Sequence, residues 1–232
     1  MKLLLNQSKY DTIYNIFVFA DFFIRNPIPA RKDIDMTKIY IARHGQTESN
    51  LRHACIGLKD VPLTDTGKEQ AHSLAERLAH ISFEAIYTSP LSRAVDTAMP
   101  VAAFNKNTPL TMNYGIIERD FGKWDDLSFE EIESKYPNEF KAWRQDKISY
   151  TPPGGESVSA MYGRAAAAMT RILNQHSGGN ILIVSHLAVS RTILAFLLGL
   201  PPEHSQCFFL DNAKAAVIEH SGGKGIMTGL NI

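Results

Sequence analysis

From Thr37 onward, short runs of β-branched and aromatic residues alternate with longer stretches whose apolar positions recur every three or four residues. This is the rhythm of a sheet whose strands are joined by crossover helices. Residues 38–42 (KIYIA), 85–88 (AIYT) and 110–112 read as strands, and 180–185 (NILIVS), apolar almost throughout, reads as the central one, buried on both faces. A helix is expected over 66–78, capped by Thr64 or Asp65, with Ala71, Leu74, Ala75 and Leu78 on its inner face. A second covers 91–104, which Pro100 should kink or shorten. An Ala-rich helix follows over 157–175, ended by Gly178 and Gly179, and another over 188–198, stopped by Gly199 and Pro201. Two closing strands, 206–210 and 215–219, read as a hairpin around Asp211-Asn212. The stretch Gly222-Gly223-Lys224-Gly225 lacks the spacing and hydroxyl residue of a phosphate-binding P-loop and reads as a turn.

Between 113 and 153 the pattern changes to dense charge and two tryptophans with no clean strand, a stretch too long for a bare loop in a compact domain. It is expected to be a helical insertion forming a lid over the strand ends. Residues 1–35 lie outside the alternation and read as an N-terminal extension to a single domain over 36–232. Within the extension, Ile13, Ile16, Phe17, Ala20, Phe23 and Ile24 fit one helical face, which could pack on the domain or on the second subunit of a homodimer. The apolar run 16–24 is interrupted by Asp21 and falls far short of the roughly 20 residues that span a bilayer. Lys9 and Asp11 follow the Leu3 to Leu5 run instead of preceding a long apolar one, which does not match a secretory leader. Cys55 and Cys207 are the only cysteines and form no disulfide framework, so a cytoplasmic location is expected.

Composition narrows the partners. The chain has 24 Lys and Arg against 24 Asp and Glu, so no net field draws it to nucleic acid or to an anionic membrane. An anionic ligand must therefore be gripped locally.

Open α/β sheets bind ligands beyond the carboxyl ends of their strands. Those ends carry Arg43-His44 after the first strand, Ser89-Pro90-Leu91-Ser92-Arg93 after the second, Glu118-Arg119 after the third and His186 after the apolar fourth. Arginines that donate bidentately, neutral imidazoles that can attack phosphorus and a carboxyl that can protonate an alkoxide together suit a phosphate monoester. Arg93, at the start of a helix after Ser-Pro, also has helix amides to help hold an anion. His53, His72, His80, His176, His204 and His220 have no paired ligand spacing, so neither a metal nor another cofactor is expected. Arg191, five residues beyond His186, fits a salt bridge as well as a ligand contact and stays outside the catalytic set. Trp124, Trp143, Phe121 and Tyr136 read as a small core within the insertion, at the entrance to the site.

The segments IYIARHGQTESN, PLTDTGKEQA, IYTSPLSRAVDTA, ERDFGKW, PPGGES and ILIVSHLAVSR stand in the order and spacing of the histidine phosphatase superfamily. From about Lys38 to Ala216 the chain resembles its phosphoglycerate-mutase-like branch, with features of the α-ribazole phosphatase and broad-specificity phosphatase members. The resemblance implies a three-layer α/β/α fold around a mostly parallel sheet. It further implies that His44 is phosphorylated in turnover, that Arg43, Arg93 and His186 complete the phosphate pocket, that Asn50 also touches phosphate, and that Glu118 is the proton donor. The partner would be a small phosphorylated metabolite, hydrolysed without a metal.

Three departures stand out. Leu187 replaces the usual glycine after the second histidine, Trp124-Asp125-Asp126 replaces Trp-Glu-Gly, and Trp143-Arg144-Gln145 lacks the second arginine usual in mutases. From Glu118 to Lys147 there are nine acidic and six basic residues, net −3, a poor setting for a carboxylate-bearing intermediate. A cofactor-dependent phosphoglycerate mutase is the alternative activity. A non-catalytic phosphate-recognition module is the alternative of another class, and the presence of both nucleophile and proton donor argues against it.

Overall fold

The computed structural model describes residues 36–232; the extension 1–35 and its amphipathic pattern lie outside the described residues. In chain order the elements are β1 (Thr37–Arg43), α1 (Glu48–Leu51), β2 (Ala54–Cys55), α2 (Asp65–Leu78), β3 (Ala85–Thr88), α3 (Ser92–Phe104) and β4 (Leu110–Met112). Then come β5 (Leu127–Ser128), α4 (Phe129–Lys135), α5 (Pro137–Gln145), α6 (Val158–Gln175), β6 (Asn180–Ser185), α7 (Leu187–Leu197), β7 (Ala215–Ser221) and β8 (Lys224–Gly229).

Six strands form one sheet in the order β4-β3-β6-β1-β7-β8. β4, β3, β6 and β1 run parallel, while β7 and β8 add an antiparallel edge. β6 and β1 lie at the centre, as their apolar sequences require: side chains alternate between faces, so a strand covered on both sides must be apolar at every position. On one face Ile39, Ile41, Ile181 and Ile183 pack beneath Met161, Met169 and Ile172 of α6 and Val189, Ile193 and Leu194 of α7. On the other, Tyr40, Ala42, Leu182 and Val184 meet Leu74 and Leu78 of α2 and Ala94, Ala98 and Val101 of α3. Each fully buried Leu, Ile or Met contributes roughly 1.5–3 kcal/mol, so these two layers hold the strand ends in fixed register.

Local signals set the helix starts. Thr64, not Asp65, caps α2, its Oγ1 accepting the Gly67 amide at 3.0 Å. Ser157 caps α6 by accepting the Ala160 amide at 3.1 Å. α3 keeps its full run to Phe104 with Pro100 inside it, so the expected shortening does not occur.

The expected closing hairpin is wrong in place. Of the expected strand 206–210, Gln206 and Cys207 close a 3-10 turn that Pro201 and Pro202 open with fixed φ and no amide to donate, and Phe208 to Leu210 belong to no strand. The hairpin instead joins β7 to β8 through Gly222 and Gly223, with φ of +57° and +77°. Two consecutive positive-φ residues are what a tight hairpin turn demands.

Between β4 and α6 lie two 3-10 turns, β5, α4 and α5. β5 pairs antiparallel with β2, a small second sheet absent from the sequence reading. Trp124, Ile132 and Phe140 form a separate apolar cluster with Phe121, Tyr136, Trp143 and Tyr150 around them.

Candidate active site

The strand ends converge as their positions in the sheet dictate. β1 delivers Arg43 and His44, and its parallel neighbour β6 delivers His186, with Arg43 opposite Ser185 in register. The two imidazoles lie with ring centroids 5.1 Å apart.

The turn after β1 is held at very close range to α2. A Cβ on Gly45 would come within 2.4 Å of the Gly67 carbonyl oxygen, and one on Gly67 within 2.2 Å of the Gln46 oxygen. Both glycines are therefore required for the same backbone contact, which explains their place in two separate sequence segments. The Gly45 amide donates to Thr97 Oγ1 at 2.9 Å, tying the turn to α3.

His44 Nδ1 donates to the Gly45 carbonyl at 2.7 Å. A carbonyl can only accept, so the proton sits on Nδ1 and the lone pair on Nε2 is left free. Burial, then the nearby Arg93 and Arg43 charges, hold the ring well below the usual imidazole range, hence neutral. His186 is neutral for the same leading reason, with Arg93 next. Its Nδ1 accepts from Arg93 Nε at 3.2 Å, and its Nε2 donates to Ser89 Oγ at 2.7 Å.

Arg93 is fully buried at the first turn of α3. Its Nη1 donates to the Lys59 carbonyl at 3.0 Å and its Nη2 to the Gly57 carbonyl at 2.8 Å. Of five N–H groups, one on each Nη is left over, a forked pair that matches two phosphate oxygens. Arg43 donates through Nη1 to the Leu210 carbonyl at 2.9 Å, while its buried Nε has no partner among the described residues. Burial brings the Arg43 guanidinium down to about 10, still charged at neutral pH.

Glu118 is buried in the turn after β4. Its Oε1 accepts the Arg119 amide at 2.8 Å and its Oε2 the Ala188 amide, near the start of α7, at 3.4 Å. Burial outweighs these amides and the Arg93 charge, raising the carboxyl above its ordinary range and favouring the protonated form. The Ala-rich character of α6 serves this turn. Gly115 lies so close that a Cβ there would be 2.5 Å from that of Ala168, and Arg164 donates to the Gly115 and Glu118 carbonyls at 3.1 and 3.0 Å. Arg164 is itself held by a two-pronged ion pair to Glu156 at 2.8 and 2.9 Å.

A cavity of about 220 Å³ opens at this point. Arg43, His44, Asn50 and Glu118 line it directly, whereas Arg93 and His186 stand behind it, fully buried. Asn50 Oδ1 accepts from the Thr47 amide at 3.0 Å, from Thr47 Oγ1 at 3.2 Å and from Asn212 Nδ2 at 3.2 Å, which leaves its NH2 end for a ligand. The outer wall is apolar and aromatic: Ala54, Ile56, Phe121, Phe129 and Leu187.

Arg191 also lines the cavity. Its Nε donates to the Phe208 carbonyl at 2.6 Å and its guanidinium lies 5.5 Å from the Phe209 ring centre. The signal was its spacing from Leu187, since residues four apart on α7 share a face. Sequence reasoning gives Arg164 no role and reads Asn212 only as part of a turn; each acts through backbone or amide contacts that carry no motif.

The model of the histidine phosphatase superfamily (branch 1) matches residues 39–232. The chain therefore belongs to the histidine phosphatase superfamily, which places it among the phosphoric monoester hydrolases. Phosphoserine phosphatase 1 of Hydrogenobacter thermophilus is 32% identical over 197 residues, 85% of this chain and 93% of that protein. Among solved structures, a putative alpha-ribazole-5'-P phosphatase from Escherichia coli superposes with a TM-score of 0.80 at 28% identity, covering 84% of this chain and 96% of its own. The phosphoserine phosphatase of Entamoeba histolytica, in complex with 3-phosphoglyceric acid, gives a TM-score of 0.75 at 28% identity, covering 84% and 97%.

Proposed function

We propose that the protein hydrolyses small phosphomonoesters through a phosphohistidine at His44, without a metal. The observation that carries this reading is the His44 ring itself: neutral, fixed by the Gly45 carbonyl, and with Nε2 free beside two guanidinium groups. Nε2 attacks phosphorus and the N–P bond forms as the P–O bond to the alcohol breaks. Arg43, Arg93 and Asn50 hold the non-bridging oxygens, over which the transition state spreads charge, and His186 joins them when a phosphate oxygen takes over the N–H that Ser89 accepts here. Protonated Glu118 gives its proton to the departing alkoxide. Water then attacks the phosphohistidine, Glu118 takes a water proton, and phosphate leaves with His44 neutral again. The positive charge comes from guanidinium groups; among the described residues no three His, Cys, Asp or Glu side chains are grouped to hold an ion.

The outer cavity favours hydrolysis over phosphoryl transfer between carboxylate-bearing sugars or acids. A mutase must keep a charged intermediate bound while it reorients. Here the outer wall is mostly apolar; among the described residues neither Arg144 nor any lysine lines it, and the one further guanidinium, that of Arg191, is tied to the Phe208 carbonyl and Gln206. A panel of phosphorylated metabolites scored for released phosphate should give turnover of small esters, and EDTA should not slow it while vanadate should. Incubation with 3-phosphoglycerate and a trace of 2,3-bisphosphoglycerate tests the alternative: 2-phosphoglycerate appearing much faster than phosphate would make the enzyme a mutase.

A further inference from the structure

Asp126 has a backbone conformation that its side chain must repay. Its φ is +64°, the left-handed region in which an L-residue is strained and glycine is not. It stands where Trp-Glu-Gly would place the glycine. Aspartate tolerates this region better than most residues, but tolerance does not explain what the carboxylate does.

Asp126 Oδ1 accepts from the buried Ser49 hydroxyl at 3.1 Å and also pairs with Arg52, while Oδ2 accepts from Lys59 Nζ at 2.7 Å. Its amide donates to the Cys55 carbonyl, beside the β2–β5 pairing. Four contacts thus run from one residue of the 113–153 insertion to the segment 49–59. Both sides of this seam wall the cavity: Asn50, Ala54 and Cys55 on one, Phe121 and Phe129 on the other. Asp125 stitches the same seam further along, its carboxylate accepting the Gly57 and Lys59 amides at 2.7 and 3.0 Å. Those two residues are the ones whose carbonyls hold Arg93.

We propose that Asp126 is a positioning residue, a latch that clamps the insertion onto the Asn50-bearing segment and so sets the width of the substrate cavity. The clamp is electrostatic and only partly shielded. The Arg52 and Lys59 side chains are 53% and 55% exposed, against 22% for Asp126, so added salt should loosen it.

The proposal rests on the phosphatase reading, and its test separates the two. Asp126→Gly removes the carboxylate and relieves the left-handed strain, so the variant should melt near the wild type. With an alkyl phosphate, its KM and the Kd for vanadate measured by calorimetry should both rise about fivefold, with kcat changed less than twofold. The wild type should lose vanadate affinity with salt more steeply than the variant, because the variant has no latch to screen. Asp126→Asn keeps the hydrogen-bond acceptor without the charge and should fall between the two. Should the glycine variant misfold, the asparagine variant carries the same comparison. A variant with wild-type KM, vanadate affinity and salt slope overturns the latch while leaving the phosphatase reading intact. A wild type that neither binds vanadate nor turns over any ester overturns the phosphatase reading itself, and the latch as a device for substrate with it.

Discussion

Replacing Glu118 with glutamine removes a proton donor while keeping the shape of the cavity. The glutamine oxygen can take over the Arg119 amide bond at 2.8 Å, and among the described residues the one other hydrogen bond disturbed is that from the Ala188 amide, already 3.4 Å long. A positioned general acid contributes about 10²–10⁴ in rate, equivalent to ~3–5 kcal/mol of barrier. That loss is expected in full for an alkyl phosphate and only in small part for p-nitrophenyl phosphate, whose leaving group needs little protonation. Stability should move the other way. Burial raises the Glu118 carboxyl above its ordinary value of 4.5, so the folded state binds this proton more tightly than the unfolded chain does. The stabilisation from this group is therefore complete below about pH 4.5 and is lost as pH rises through the raised value. Glutamine never ionises, so the melting temperature of the variant relative to wild type should climb across that window. Rates on the two esters and melting curves from about pH 4 to pH 8 make the assay. Equal slowing on both esters, or a melting-temperature gap that does not change with pH, would refute the reasoning and direct attention to another acid.

Other outcomes follow from the same geometry. His44→Ala should lower turnover by about a thousandfold or more, and brief exposure to labelled substrate should leave acid-labile phosphate on the wild type alone; label retained on the variant would move the nucleophile elsewhere. Arg164→Met should cost about 2 kcal/mol of stability, since it strips the Glu118 and Gly115 carbonyls of their donor and leaves Glu156 unpaired. It should also lower kcat on alkyl esters more than on p-nitrophenyl phosphate, because it displaces the turn that bears the acid; comparing denaturant midpoints and the two rates decides it. A chain begun at Met36 should keep the full rate, and a folded but inactive truncation would assign part of the site to residues 1–35.

What was legible in the sequence divides along physical lines. The strands β1, β3 and β6 were readable because burial on both faces forces unbroken apolar runs, and the catalytic candidates because they stand directly after those runs. β8 was not. Its sequence, KGIMTG, alternates exposed and half-buried residues on a strand that, among the described residues, is bonded to β7 alone, and two of its six residues are glycines, which carry no strand signal. The strand expected at 206–210 failed for the opposite reason: Phe208 and Leu210 are apolar because they pack against the core, and the Leu210 carbonyl is used to hold Arg43 rather than a neighbouring strand. Asp126 was visible as a departure from a pattern, but its partners Ser49, Arg52 and Lys59 are distant in sequence and only the fold brings them to one carboxylate.

The parallel pairing of β1 with β6 has a consequence for the order in which the protein becomes an enzyme. Lys38 pairs with Asn180 and Arg43 with Ser185, so the nucleophile and its imidazole neighbour are separated by most of the chain. During synthesis at ~5–20 residues per second, His44 leaves the ribosome roughly 7–30 seconds before β6 is available to lie beside it. Until then β1 lacks both of its sheet neighbours, Arg93 has no His186 to hold, and the Ser185 hydroxyl that anchors the Ile116 carbonyl, two residues before Glu118, does not yet exist. A nascent or truncated chain missing its last third therefore carries Arg43, His44, Arg93 and Glu118 without a phosphate pocket among them. Activity should arrive in one late step, when the centre of the sheet closes.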